Sequence, residues 1–240
     1  MTDAEYQAAP GPLALVGSGE YLAVMAPIEA DLLAGRAPRY VQLATAAVPD
    51  GPDVVRRWHE LGATQAERLG VEPVVVPVVD RVSANDPANA ALVAGAGLVY
   101  LSGGHPTFLA DTLRESAVWR AILDAWRAGA ALAGCSAGAM ALTSWVPSLR
   151  HPRGGGVAGL GLLANLRVIP HYDAFFARMP EVAARFVLPQ DGTVTLLGID
   201  EETALVGGPT TWTVRGRQSV WRIGTDRREQ FEAGATLELD

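Results

Sequence analysis

The sequence predicts an α/β fold: a doubly wound, mostly parallel sheet with helices on both faces, followed by a β-rich C-terminal part. Three observations carry this reading. Apolar runs without polar interruption alternate with helix-like runs from residue 12 to residue 143. Several of these runs end in Gly-rich turns. From Thr193 onward, short alternating runs are separated by turn residues. Strands free of polar residues are buried on both faces, and the helices between them supply the covers.

Taken in order, Leu13–Val16 is a buried strand ending in Gly17-Ser18-Gly19-Glu20, and Tyr40–Ala44 is the second strand. Asp53–Leu69 is a helix, with Val54, Val55, Trp58, Leu61 and Leu69 on one face. Val74–Val79 is β-branched apart from Pro77. Leu98–Leu101 is a strand ending in Ser102-Gly103-Gly104, and Pro106–Leu113 and Ala117–Trp126 are helices. Ala131–Gly134 is a strand, and Ala137–Leu142 starts a helix. Ser144–Gly156 is a Pro- and Gly-rich loop, Leu166–Ile169 a strand, and Tyr172–Phe186 a helix. Thr193–Leu197, Thr203–Val206, Thr211–Val214, Val220–Ile223 and Thr236–Leu239 are short antiparallel strands. No linker marks a boundary, so residues 1–240 are expected to form one domain, with 193–240 its extension.

Composition narrows the chemistry. Of 240 residues 49% are apolar and 19% charged, which excludes a disordered chain. All 19 basic residues are Arg, against 26 acidic ones, for a net charge of −7. Without lysine there is no Schiff base and no phosphate-loop lysine, and without a basic field nucleic acid is not an expected partner. A single cysteine, Cys135, forms neither an internal disulfide nor a Cys-rich zinc site. Residues 128–149 carry no charge. Their glycines, serines and Pro147 fit a buried strand running into a buried helix better than a membrane span. The acidic N-terminus lacks the features of a signal peptide, so a cytoplasmic location is expected.

The strongest chemical signal is Gly134-Cys135-Ser136-Ala137-Gly138, a G-x-S-x-G pattern between a predicted strand and a predicted helix. That context makes it a nucleophile elbow, in which small neighbours let strand and helix pass closely while Ser136 Oγ points outward. Cys135 is the rival nucleophile, but in the elbow register it packs beneath the sheet. Ser102-Gly103-Gly104 ends the neighbouring strand, where ligands bind in open α/β sheets. The N–H groups of Gly104 and Ala137 form a two-donor oxyanion hole, with Gly103 and His105 beside it as substrate-binding candidates. Of His59, His105, His151 and His171, the last closes a strand at the same sheet edge and is the candidate base.

Leu101-Ser102-Gly103-Gly104, the elbow through Ala139, Gly159-Leu160-Gly161-Leu162-Leu163, Pro170-His171-Tyr172 and Gly198-Ile199-Asp200-Glu201-Glu202-Thr203-Ala204-Leu205 together resemble the serine peptidase family of peptidase E (α-aspartyl dipeptidase) and cyanophycinase. The resemblance spans about residues 12 to 206. It implies a class I glutamine-amidotransferase-like fold, Ser136 as nucleophile, His171 as base, and the amides of Gly104 and Ala137 as oxyanion donors. It also implies a small peptide or amide as substrate, with Asp-X dipeptides leading. The family pattern carries an acid between serine and histidine, whereas residues 125–172 contain none.

Asp173 is the expected third member, since residues i and i+2 share a face in extended backbone. Glu201 and Glu202 are the alternatives, and helix capping is another role open to Asp173. A substrate carboxylate requires an arginine, with Arg178, Arg150, Arg153 and Arg167 nearest in sequence. Glu20 is placed to face the pocket, and His105-Pro106 and Ile169-Pro170 depart from the cyanophycinase pattern. No cofactor, metal or membrane is called for, and the chain is open to homodimerisation. A glutaminase-like amidase and an inactive binding protein are the competing readings.

Overall fold

Period-two alternation divides each central strand between two cores. In β1 (Leu13–Val16), Leu13 and Leu15 join one apolar cluster while Ala14 and Val16 join another on the opposite face. The computed structural model describes residues 9–147, 155–175, 194–224 and 227–239. After β1 come α1 (Ala26–Leu33), β2 (Arg39–Leu43), α2 (Pro52–Arg68), β3 (Glu72–Val75), α3 (Arg81–Ala84) and α4 (Pro87–Ala91). β4 (Leu98–Leu101), α5 (Pro106–Leu113), α6 (Ala117–Arg127), β5 (Ala131–Cys135) and α7 (Ala137–Ala141) complete the doubly wound part. The remainder contributes β6 (Trp145–Pro147), β7 (Gly156–Ala158), β8 (Leu166–Pro170) and α8 (Tyr172–Phe175). It ends with β9 (Thr195–Ile199), β10 (Thr203–Gly207), β11 (Thr211–Gly216), β12 (Ser219–Ile223), β13 (Arg228–Glu232) and β14 (Thr236–Glu238).

The main sheet has eight strands in the order β14-β11-β10-β1-β5-β4-β2-β3. From β1 to β3 every pairing is parallel, and β10, β11 and β14 extend the sheet antiparallel. A second sheet, β13-β12-β9-β8, carries the rest of the tail. The expected α/β class therefore holds, with two differences of detail. β9 runs parallel to β8, with Val168 opposite Leu197, where only antiparallel partners were expected. The charged strand β13 escaped the apolar pattern because its residues stay largely exposed.

The expected loop at Ser144–Gly156 begins and ends in paired strands, β6 and β7, with Val146 opposite Val157. Of the expected Tyr172–Phe186 helix, Tyr172–Phe175 lies within the described residues. The uncharged 128–149 run contains buried β5 and α7. No helix among the described residues is long and apolar enough to cross a membrane.

This topology concentrates chemistry at one edge. The C-terminal ends of β1, β4 and β5 lie side by side, since β1 pairs with β5 and β5 with β4. The turn from β9 to β10 passes from the second sheet to the main one. It brings residues 200–202 to the same edge, with Gly17 N–H donating to the Thr203 carbonyl at 2.9 Å.

Candidate active site

Ser136 has φ 49° and ψ −105°, a conformation that L-residues rarely adopt, between β5 and α7. Such a residue costs about 1–3 kcal/mol and persists only where its surroundings fix it. Here its N–H donates to the Val16 carbonyl at 2.9 Å, and its carbonyl accepts from Met140 N–H at 3.0 Å. Gly134 and Gly138 are required by space. A Cβ on Gly134 would sit 2.5 Å from the Gly138 carbonyl carbon, and one on Gly138 would sit 2.3 Å from Leu101 O. Beneath the turn, Cys135 is fully buried, and its Sγ donates to Glu20 Oε2 at 2.8 Å. Burial, reinforced by the Glu20 charge, pushes this thiol well above the usual range, the opposite of an activated cysteine.

His171 directly follows β8, with φ 132°, and its ring reaches the elbow. Its Nε2 lies 2.7 Å from Ser136 Oγ, and its Nδ1 lies 3.2 Å from Glu201 Oε1. A serine, an imidazole and a carboxylate thus stand in series, with the imidazole contacting the hydroxyl on one side and the acid on the other.

The expected placement of Asp173 on the imidazole needs correcting. Its Oδ1 accepts the Glu201 N–H at 3.0 Å, and its Oδ2 accepts from Gln218 Nε2 at 2.8 Å. The i, i+2 argument assumes extended backbone, but the chain turns at His171 into α8, so residues 171 and 173 no longer share a face. Glu201, one of the two alternatives, takes the imidazole, while Glu202 pairs with Arg217 at 2.8 Å. Gln218 had no sequence signal. It reaches the site only through long-range pairing, donating to both Asp173 and the Glu201 carbonyl, the latter at 3.1 Å. Asp173 and Gln218 therefore hold the peptide groups on either side of the Glu201 side chain.

Among the described residues, no acceptor takes the N–H of Gly104 or Ala137. Gly104 has φ 135°, and a Cβ there would meet Ala46 O at 2.4 Å. The Gly103 N–H is already committed to Glu20 Oε1 at 2.9 Å. His105 immediately precedes α5 without capping it through its side chain, and its Nε2 lies 2.8 Å from Asp50 Oδ1. Arg178, Arg150 and Arg153 lie outside the described residues. Arg167 stacks 4.4 Å above the Trp145 ring. Among the described residues, no group of three or more His, Cys, Asp or Glu side chains could hold a metal ion.

Comparison with known proteins shows the family and the fold. The model of peptidase family S51 matches residues 13–211. A crystal structure of a peptidase from an acI-B1 Actinobacterium is 40% identical, with a TM-score of 0.88, over 96% of this chain and 97% of that one. A candidate peptidase E protein from Listeria monocytogenes EGD-e shares the fold at 18% identity and a TM-score of 0.62, over 88% of this chain and all of that one. No curated protein matches the chain.

Proposed function

Because the chain belongs to peptidase family S51 and is thereby a serine-type peptidase, we propose that it cleaves small peptides, Asp-X dipeptides first among them, through an acyl-enzyme on Ser136. The observation that carries this reading is the 2.7 Å contact between Ser136 Oγ and His171 Nε2, with Glu201 on the other ring nitrogen. His171 Nε2 takes the hydroxyl proton as Oγ attacks the scissile carbonyl carbon. Glu201 accepts the Nδ1–H, which fixes the tautomer and stabilises the imidazolium. The N–H groups of Gly104 and Ala137 receive the oxyanion. Collapse of the tetrahedral intermediate breaks the C–N bond, and the amine leaves with the proton from Nε2. Water, deprotonated by the same nitrogen, then attacks the ester and releases Ser136.

A fluorophosphonate probe tests the nucleophile. Labelling of the wild type and none of Ser136→Ala is expected; equal labelling of both would remove Ser136 from this role. Release of leucine from Asp-Leu, with no ammonia from free glutamine, is the expected substrate result. The reverse pattern would favour the amidase reading.

A further inference from the structure

The catalytic cycle above leaves one carboxylate at the nucleophile without a task. Glu20 follows β1, where the chain passes very close to the Asp200–Glu202 turn. A Cβ on Gly17 would meet Asp200 O at 2.1 Å, and one on Gly19 would lie 3.2 Å from Glu202 Cγ. Glu20 is thereby turned into the space between the ends of β1, β4 and β5. Its Oε1 accepts the Gly103 N–H at 2.9 Å and its Oε2 accepts the Cys135 S–H at 2.8 Å. Acceptance at both oxygens is the pattern of the ionised group. The point where a Cβ on Gly103 would stand is 2.8 Å from Glu20 Oε1 and 3.5 Å from Ser136 Cβ. The carboxylate and the side chain of the nucleophile thus border the same small space beside Gly103. Among the described residues, no arginine or histidine forms an ion pair with Glu20.

A fixed negative charge here opposes the reaction as proposed. The carbonyl oxygen becomes anionic close by, and like charges in a partly desolvated site repel. A brace for Gly103 would need only a neutral acceptor, which glutamine supplies. The charge becomes useful when the substrate brings a cation to it. An α-ammonium group is two bonds from the carbonyl carbon that Ser136 attacks, so with that carbon at Oγ the ammonium is within reach of the space beside Gly103 that Oε1 borders.

We propose that Glu20 is the receptor for the free α-ammonium of the acyl-side residue. The enzyme then cleaves after the first residue of peptides with an unblocked N-terminus and discriminates against N-acylated ones. This proposal rests on Ser136 as the nucleophile.

The test compares kcat/KM for Asp-, Ala- and Leu-p-nitroanilide with the same compounds N-acetylated, in the wild type, Glu20→Gln and Glu20→Asp. Fluorophosphonate labelling of Ser136 serves as the control in each. The wild type is expected to prefer the free amine by about tenfold or more. In Glu20→Gln the ratio should fall toward one, because the free-amine rate drops while the N-acetyl rate rises. Glu20→Asp should retain part of the preference. A wild type indifferent to acetylation overturns the proposal without reference to any variant. So does a Glu20→Gln protein in which both rates fall in parallel, the behaviour of a brace alone. Cleavage of neither form by a protein that takes the fluorophosphonate overturns it too. Absence of labelling in the wild type removes the nucleophile instead, and the Glu20 assignment with it.

Discussion

The main sheet and the second sheet furnish the site in different ways. The main sheet presents Ser136, Gly104 and Ala137 through main-chain geometry, with atoms so close that single methyl groups are excluded at Gly104, Gly134 and Gly138. The second sheet and its turn into β10 present His171 and Glu201 through side-chain hydrogen bonds. Both side chains are partly exposed, the imidazole to 29% and the Glu201 side chain to 43%. One half of the site is fixed by packing. The other is held by a polar relay of Asp173, Gln218 and Glu201. Packing tolerates no added volume, whereas a relay loses strength bond by bond.

The sharpest test of the relay is Glu201→Gln. The amide cannot stabilise an imidazolium, and kcat/KM for the best substrate should fall by about 10³–10⁴-fold with the fold intact. A loss below tenfold would show that Glu201 is a bystander. On the packed side, Gly138→Ala places a Cβ against the Leu101 carbonyl. It should lower stability by about 3 kcal/mol and activity by about 10² through displacement of Oγ. Urea unfolding and kcat measured together would check this, and unchanged values in both would break the contrast between the halves.

A third prediction concerns the packed side alone. Burial pushes the Glu29 carboxyl from 4.5 up to about 7, against hydrogen bonds from Gln65 and Tyr40 that favour its charged form. A raised folded-state value means that the unfolded chain ionises first. Stability contributed by this group is therefore full below about pH 4.5 and is lost as pH climbs to about 7, by about 3 kcal/mol in all. Glu29→Gln should flatten that slope in thermal melts between pH 4.5 and 8, and a slope unchanged from wild type would count against it. The smallest effect belongs to the relay's outer member. Asp173→Asn keeps an acceptor for the Glu201 N–H and should cost kcat about tenfold or less, with KM barely moved. Loss equal to that of Glu201→Gln would restore Asp173 as the partner of the imidazole.

The two halves also differed in how far the sequence revealed them. The elbow, the Gly103-Gly104 turn and the parallel strands were legible because the constraints are local. A small residue is needed where backbone meets backbone, and an apolar run is needed where both faces are covered. His171 was legible as the end of a strand. The acid was not, because its choice depends on a left-handed turn at residue 171 and on a crossing between sheets that no local pattern encodes. Glu201 was flagged through the shared Gly-Ile-Asp-Glu stretch, yet proximity in sequence favoured Asp173. Gln218 lies 45 positions from Asp173 and gave no sign at all. Helix α1 was also passed over, since its buried Glu29 interrupts the apolar stripe by which a core-facing helix is recognised.

Since nucleophile and base ride on separate layers, turnover gauges how firmly those layers are docked. A displacement of a fraction of an ångström between them would part Oγ from Nε2 while leaving the eight-stranded core intact. Inactivation by mild heat or denaturant should then precede unfolding, and a silent relative could arise from loosened docking with every catalytic side chain still in place.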